Sequence, residues 1–418
     1  MTRWIALVTA FVLVAAACVG ARGVGEDGDL VWAIGAIDAR PGGSASTTAE
    51  MWNQLHPNGP KVRIEALPES ADDARQQLAL ELNAQSSEFD ILTLDLVWTG
   101  EFAENGWLES LEDLRPQIEK VSLPGPVQSA SWDGKLWAAP STADAGLLYY
   151  RKDLVPEPPR TWDELMKVGL EAGRKAGIAP FVGQGAQYEG MVVHYLEYFW
   201  GAGGDLFNED GTKVLLQDGP ALKAIEFMRT ALQNGFYAPG FNTMMEEDAR
   251  NAFQSGNAVF MRNWPYAYQL MTGHDPHNPS EVAGKFGIAP LPTFNGTGTI
   301  AGLGGHNLAV SRFSDKIDAA KEFVRFISTT ADVQRNLGTQ HSLAPTMASV
   351  YDDLAGDPVM ALLGQILPDA KPRPSTPDWN AISEEIQRQV FPAYNGQRDP
   401  RAAVEAVRVF LESTLSEG

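Results

Sequence analysis

FDILTLDL, Phe89 to Leu96, is the stretch on which the fold turns. Its apolar residues run almost without a break, as in a strand buried on both faces, and it closes on an acid, Asp95. Upstream, LVWAIGA (Leu30–Ala36) is a strand of the same kind, and KVRIEAL (Lys61–Leu67) alternates as a strand does. Between these runs, TTAEMWNQL and the segment Asp72–Asn83 read as helices. Strands separated by helices predict a parallel sheet covered on both faces.

The alternation continues downstream. LLYYRKDL (Leu147–Leu154) is a strand, and TWDELMKVGLEAG opens a helix with Thr161 as its cap. Ala221, Leu222, Ile225, Met228 and Leu232 recur at helical spacing, as do Ile317, Ala320, Val324 and Ile327. NAVFMRN (Asn257–Asn263) and KFGIAPL are further strands, and the chain after Thr330 is almost entirely helical. At 418 residues the chain is too long for one ordinary core and suits two. Two α/β units, each with its own sheet, fit better than one very wide sheet. WAAPST (Trp137–Thr142) and APLPTF (Ala289–Phe294) are the candidate crossings between them.

Apolar residues make up 44% and charged residues 20%, a globular balance. With 32 basic against 53 acidic side chains the net charge is −21, which argues against nucleic acid as a partner. At the amino terminus, Arg3 precedes the 14-residue apolar run WIALVTAFVLVAAA (Trp4–Ala17). A membrane span needs about 20 residues, so this run has the length of a signal-peptide core. Cys18 follows, the only cysteine, so no intramolecular disulfide can form. VAAAC resembles the lipobox of bacterial lipoproteins, in which the cysteine is lipidated, although Ala15 stands where leucine is commonest. An ordinary cleaved signal or an uncleaved anchor are the other readings. Residues 18–29 read as a flexible tether.

No P-loop, HExxH or GxSxG is present, and six scattered histidines offer no tight metal-ligand spacing, so neither metal nor cofactor is expected. The informative residues are acids at strand ends and aromatics in a cluster. Asp95 ends its strand and Asp144 precedes another. Ligands of open α/β sheets gather at such ends, though aspartate is equally a helix cap. MRNWPYAY, Met261 to Tyr268, sets Trp264, Tyr266 and Tyr268 close together. A sugar ring suits this set: its apolar C–H face lies on an aromatic ring. Its hydroxyls donate to carboxylates and accept from arginine's fork.

Several long stretches then resemble one family. They are LDLVWTGEFAENGWLESL, ADAGLLYYRKDL with PPRTWDEL, QGAQYEG, EEDARNAFQSGNAVFMRNWPYAY, GKFGIAPLP, LGG and KPRP. From about Asp90 to Tyr351 the chain resembles the solute-binding lipoproteins of bacterial and archaeal ABC sugar importers, the trehalose/maltose-binding group in particular. The resemblance implies a two-lobed α/β fold of the periplasmic-binding-protein type (type II, maltose-binding-protein-like) with a ligand cleft between lobes. The expected division is 30–141 plus 293–330 for the amino-terminal lobe and 142–292 plus 331–418 for the other. It implies no enzyme, but capture of an α-linked glucosyl disaccharide for a permease and its ATPase, by a monomer anchored outside the cytoplasm through Cys18. Residue by residue, it implies Trp264 as a platform under a glucosyl ring, with Tyr266 beside it and Tyr268 in the core. Asp95, Asp144, Arg75 and Arg373 would bind hydroxyls, and the Gly305 backbone would approach the sugar. Glu246 or Glu247 would be a further acid. Three departures cluster on the second ring's side: His306 where many members have tryptophan, Thr142 where tyrosine is frequent, and Ser44 at the first-loop acid, with Asp38 the nearest replacement. A second glucoside class (sucrose, glucosylglycerol or glucosylglycerate) and a glycosidase using Asp95 and Asp144 as an acid/base pair are the rival expectations.

Overall fold

The computed structural model describes residues 28–208, 211–274, 278–298 and 300–417. The signal segment 1–17, Cys18 and most of the tether 18–29 therefore lie outside the described residues. Among the described residues, no helix is long and apolar enough to cross a membrane.

Two sheets organise the chain. The strands are β1 (Leu30–Gly35), β2 (Val62–Leu67), β3 (Ile91–Asp95), β4 (Ser131–Trp132), β5 (Lys135–Leu136), β6 (Ala138–Ala145), β7 (Leu147–Arg151), β8 (Ala179–Val182), β9 (Ala258–Asn263), β10 (Phe286–Pro290) and β11 (Leu303–Val310). The first sheet runs β2-β1-β3-β11-β6, the second β10-β7-β9-β8, and β4 and β5 form a small hairpin. β1, β2 and β3 are mutually parallel, as their helical connections require. The expectation of a parallel sheet fails at β11, which lies antiparallel between β3 and β6. It returns from the second sheet rather than through a crossover helix, so it enters the first sheet from the opposite end. WAAPST is not itself a crossing: from Ala138 on it lies within β6 of the first sheet, with Pro140 on the edge strand, where a proline is tolerated.

Packing explains the rest. Trp32 of β1 and Trp52 of the helix Ser44–Leu55 both set their rings against Phe323 of the helix Ile317–Thr329. At the lower end of β3 the buried Asp90 carboxylate accepts from Val31 N at 2.8 Å and Lys316 Nζ at 2.8 Å, a structural use of an acid. In the second unit, Thr161 Oγ1 accepts from Glu164 N at 3.1 Å, as its sequence position predicts, and starts the helix Trp162–Ala176. The helix Glu189–Gly201 is buried from Glu189 to Trp200, which accounts for its lack of a polar face. The helix Trp379–Tyr394 packs on it and on the helix Asp218–Gln233, and the helix Pro400–Glu417 packs on both Trp379–Tyr394 and Asp218–Gln233.

The chain passes between the sheets at three adjacent places. β6 ends at Ala145 in the first sheet and β7 starts at Leu147 in the second, with Gly146 between them. Leu303 pairs with Ala145, and Gly302 bridges to Lys371. Residues 331–341, allotted to the second lobe from sequence, lie against the first sheet. Gln334 Nε2 donates to the Ser141 carbonyl at 3.2 Å, and Thr47 Oγ1 lies 2.9 Å from His341 Nε2.

Candidate functional site

The carboxyl ends of β1, β2, β3 and β6, with the amino end of the antiparallel β11, face the second unit, and most of the sequence-named residues meet there. Across β3, β11 and β6, Asp95, His306 and Thr142 stand in register. Cross-strand partners share a face, so the three side chains form one polar row. Gly304 pairs with Asp144 one step along. A Cβ on Gly304 would lie 2.7 Å from the Trp264 ring, so the indole covers that same face, beside Asp144 and His306. Gly305 also meets a requirement of the backbone itself. Its φ is +119°, and a Cβ would run into the Thr142 carbonyl, beside the place where β6 bulges against β11 with Ser141 as the extra residue.

Burial pushes the Asp144 carboxyl up to about 6, while His306 and the Ala344 N–H pull it down and the charge of Asp38 raises it further. Asp38 follows β1 in a short helix and accepts from Ser44 Oγ at 2.6 Å, so the two candidate first-loop positions touch each other. Thr142 Oγ1 is buried without a hydrogen-bond partner.

The second unit contributes the residues around MRNWPYAY. Tyr188 Oη donates to Glu246 Oε2 at 2.7 Å, and burial raises the Glu246 carboxyl. Tyr266 Oη donates to Glu247 Oε1 at 2.9 Å. Burial pushes Glu247 up, but Arg250, Tyr266 and, from the first unit, Arg40 outweigh it and hold the carboxyl low. Tyr268 turns to Phe286, ring edge to face, as a core residue does.

Arg373 joins the units. Its Nη1 and Nη2 donate to both Asp95 oxygens at 3.1 and 2.6 Å, and Nη1 also donates to Glu189 Oε1 at 2.7 Å. Glu189 accepts further from Trp379 Nε1 at 3.1 Å and from Ser383 Oγ. Burial raises the Glu189 carboxyl, and Arg373 opposes the rise. A second cross-unit bond runs from Gln387 Nε2 to Asp72 Oδ2 at 3.0 Å. Arg75 is not drawn into this group: its guanidinium is spent on Glu101, to which it bonds through Nε at 2.9 Å and Nη2. Among the described residues, no group of histidine, cysteine, aspartate and glutamate could hold a metal ion.

Sequence reasoning missed Glu189 and Arg262. Arg262 lies fully buried in β9, bonded to Glu197, with its guanidinium 4.2 Å from the Trp264 ring centre. The available signal was its place in the buried run VFMRN, where a charge demands a partner. Glu189 stands in QGAQYEG, a stretch noted for resemblance, but nothing local marks it as a ligand of Arg373.

The profile of the bacterial extracellular solute-binding proteins matches residues 39–334. The chain belongs to that family. A probable ABC transporter-binding protein of Deinococcus radiodurans is 33% identical over 88% of this chain and 90% of its own. The maltose-bound structure of T. maritima MalE3 is 35% identical and covers 92% of this chain and 99% of that one, with a TM-score of 0.86. The fold is thus the two-lobed, maltose-binding-protein-like one that the sequence implied. A maltotriose-binding protein of Pyrococcus abyssi is 24% identical over 85% of this chain and 79% of its own.

Proposed function

We propose that this solute-binding protein serves an ABC sugar importer and captures an α-linked glucosyl disaccharide of the maltose or trehalose type. One observation carries the reading: the Trp264 indole lies on the face that also bears Asp95, Asp144 and His306. An apolar ring face and hydroxyl acceptors arriving from separate segments are what a pyranose requires. The likeness to maltose-bound MalE3 supports the same class.

In this reading Trp264 underlies one glucosyl ring, with Tyr266, Glu246 and Glu247 beside it. Asp95 and Asp144 bind hydroxyls, Arg373 orients the Asp95 carboxylate toward them, and the Asp95–Arg373–Glu189 chain closes the lobes on the ligand. The Gly305 backbone, His306 and Asp38 border the second unit. Arg75, held by Glu101, supports the wall without reaching the sugar. The closed monomer delivers its ligand to permease subunits and their ATPase, and lipid on Cys18 keeps it at the outer face of the cell membrane. A second reading is favoured by the polar row Asp95–His306–Thr142: a glucoside with a smaller, hydroxyl-rich second unit, such as glucosylglycerol. The neighbouring acids Asp38, Asp95 and Asp144 disfavour an anionic unit such as glycerate.

A thermal-shift panel of maltose, trehalose, sucrose, glucosylglycerol and glucosylglycerate tests both readings. Linkage raises the melting temperature for a true ligand. A shift with none of the α-glucosides removes the sugar reading, and free glucose released over many turnovers makes the protein a glycosidase.

A further inference from the structure

The cleft platform and the lobe crossings share a buried ion pair. Arg262 Nε and Nη2 donate to Glu197 Oε2 and Oε1 at 2.9 and 2.5 Å, and both side chains are wholly excluded from solvent. Arg262 Nη1 donates to Gln184 Oε1 at 3.1 Å, so the fork is used on both sides. The outer face of the guanidinium carries the Trp264 ring at 4.2 Å. The carboxylate in turn reaches the crossings. Gly302 N donates to Glu197 Oε1 at 3.1 Å. At the other crossing a Cβ on Gly146 would lie 2.6 Å from Arg262 Nη2 and would also run into Glu197. The third crossing is tied to the same place, because Leu303 N donates to the Lys371 carbonyl at 2.8 Å and Lys371 N to the Ala301 carbonyl at 2.8 Å.

From this we infer that Arg262 and Glu197 are positioning residues that couple the Trp264 platform directly to the crossings at Gly146 and Gly302. Their geometry is fixed by charge and by a planar fork that cannot shift without breaking bonds in a low-dielectric site. A displacement of the indole is therefore felt by the guanidinium, then by the carboxylate, then by the Gly302 amide. Gly146 is glycine because any side chain would occupy the pair's own space. In the ligand-free protein the pair keeps the crossings ordered. A ring seated on Trp264 presses on the same stack and favours the closed arrangement. The closing step rests on the reading of Trp264 as a ligand platform. The link from indole to crossings does not.

Hydrogen exchange resolved to peptides over 144–149 and 300–305, ligand-free and with maltose or trehalose, tests the coupling. The variants are Trp264→Ala, Gly146→Ala and the double change Arg262→Met with Glu197→Gln. The double change leaves no lone buried charge and keeps an acceptor for Gly302 N. Replacing a buried pair in this way is commonly tolerated by the fold. All three variants, ligand-free, should exchange about tenfold faster at both crossings while the helix Trp162–Ala176 keeps its protection. In the native protein maltose should slow exchange at the crossings, and in the double variant this response should be lost even where maltose still binds. Unchanged exchange at the crossings in a folded double variant overturns the coupling, as does a uniform rise over the whole chain. If the native protein shows no response to maltose or trehalose but the ligand-free differences appear, the sugar reading fails and the coupling stands.

Discussion

Replacing Asp144 by asparagine should raise stability at neutral pH and leave it unchanged in acid. Burial pushes the carboxyl from its ordinary 3.8 up to about 6, against the pull of His306 and the Ala344 N–H. The folded chain then binds this proton more tightly than the unfolded chain. Stability must fall as pH rises from 3.8 through about 6, and stay at the lower level above that. A gap of roughly 2 pH units at 1.36 kcal/mol each gives about 3 kcal/mol. Asparagine fills the same space, carries no charge and can still accept from Ala344 N. At about 2.1 cal/mol/K per residue, about 390 folded residues give an unfolding entropy near 0.8 kcal/mol/K. The variant should therefore melt about 4 °C higher at pH 7.5 and level with the native protein near pH 4. Scanning calorimetry of both proteins at half-unit steps from pH 4 to 7.5 measures this. An offset that does not change with pH, or a variant that melts lower at pH 7.5, refutes the argument. The same variant should bind sugar more weakly, since an amide accepts less well than a carboxylate from hydroxyl donors. Gain in stability with loss of affinity is the expected signature of an acid kept for its ligand.

Trp264→Ala should weaken maltose binding by about 1–3 kcal/mol in a calorimeter while the far-ultraviolet dichroism stays native. Retained affinity with collapsed stability would make Trp264 a core residue. His306→Trp should move preference toward ligands whose second unit is a glucose ring and away from glucosylglycerol. Identical affinities across that panel would show that the imidazole has no part in the choice. Cys18→Ala should release the protein from the membrane fraction or leave it unprocessed, and unchanged attachment with normal processing would end the lipoprotein reading.

The strands legible in the sequence were those whose burial is written locally. LVWAIG, ILTLD and AVFMRN are runs that no exposed loop or amphipathic helix would carry. β11 was not legible, because Gly304 and Gly305 lower strand propensity and its partners lie far off in sequence. β6 was hidden by Pro140, which made WAAPST read as a crossing between units, because a proline argues against a strand unless that strand is an edge. The site divides in the same way. Asp95 and Asp144 are marked by their position at strand ends. The pairing of Arg373 with Glu189 spans 184 residues and leaves no local trace. Arg75 illustrates the converse: an arginine of the right type whose partner, Glu101, is fixed by tertiary packing alone.

The place of β11 in the first sheet also sets an order of events as the chain emerges into the compartment where it folds. The chain begins with the first lobe, yet β3 and β6 cannot be joined until residues 303–310 arrive. Every strand of the second sheet precedes that point, the last being β10 at Phe286–Pro290. A chain emerging from its amino end can therefore complete the later lobe's sheet first, while β3 waits with an open flank. Unpaired strand edges invite wrong partners, so this interval is when the nascent protein is most exposed to misassembly. A factor that shields extended segments would matter most between the emergence of Asp95 and that of Val310.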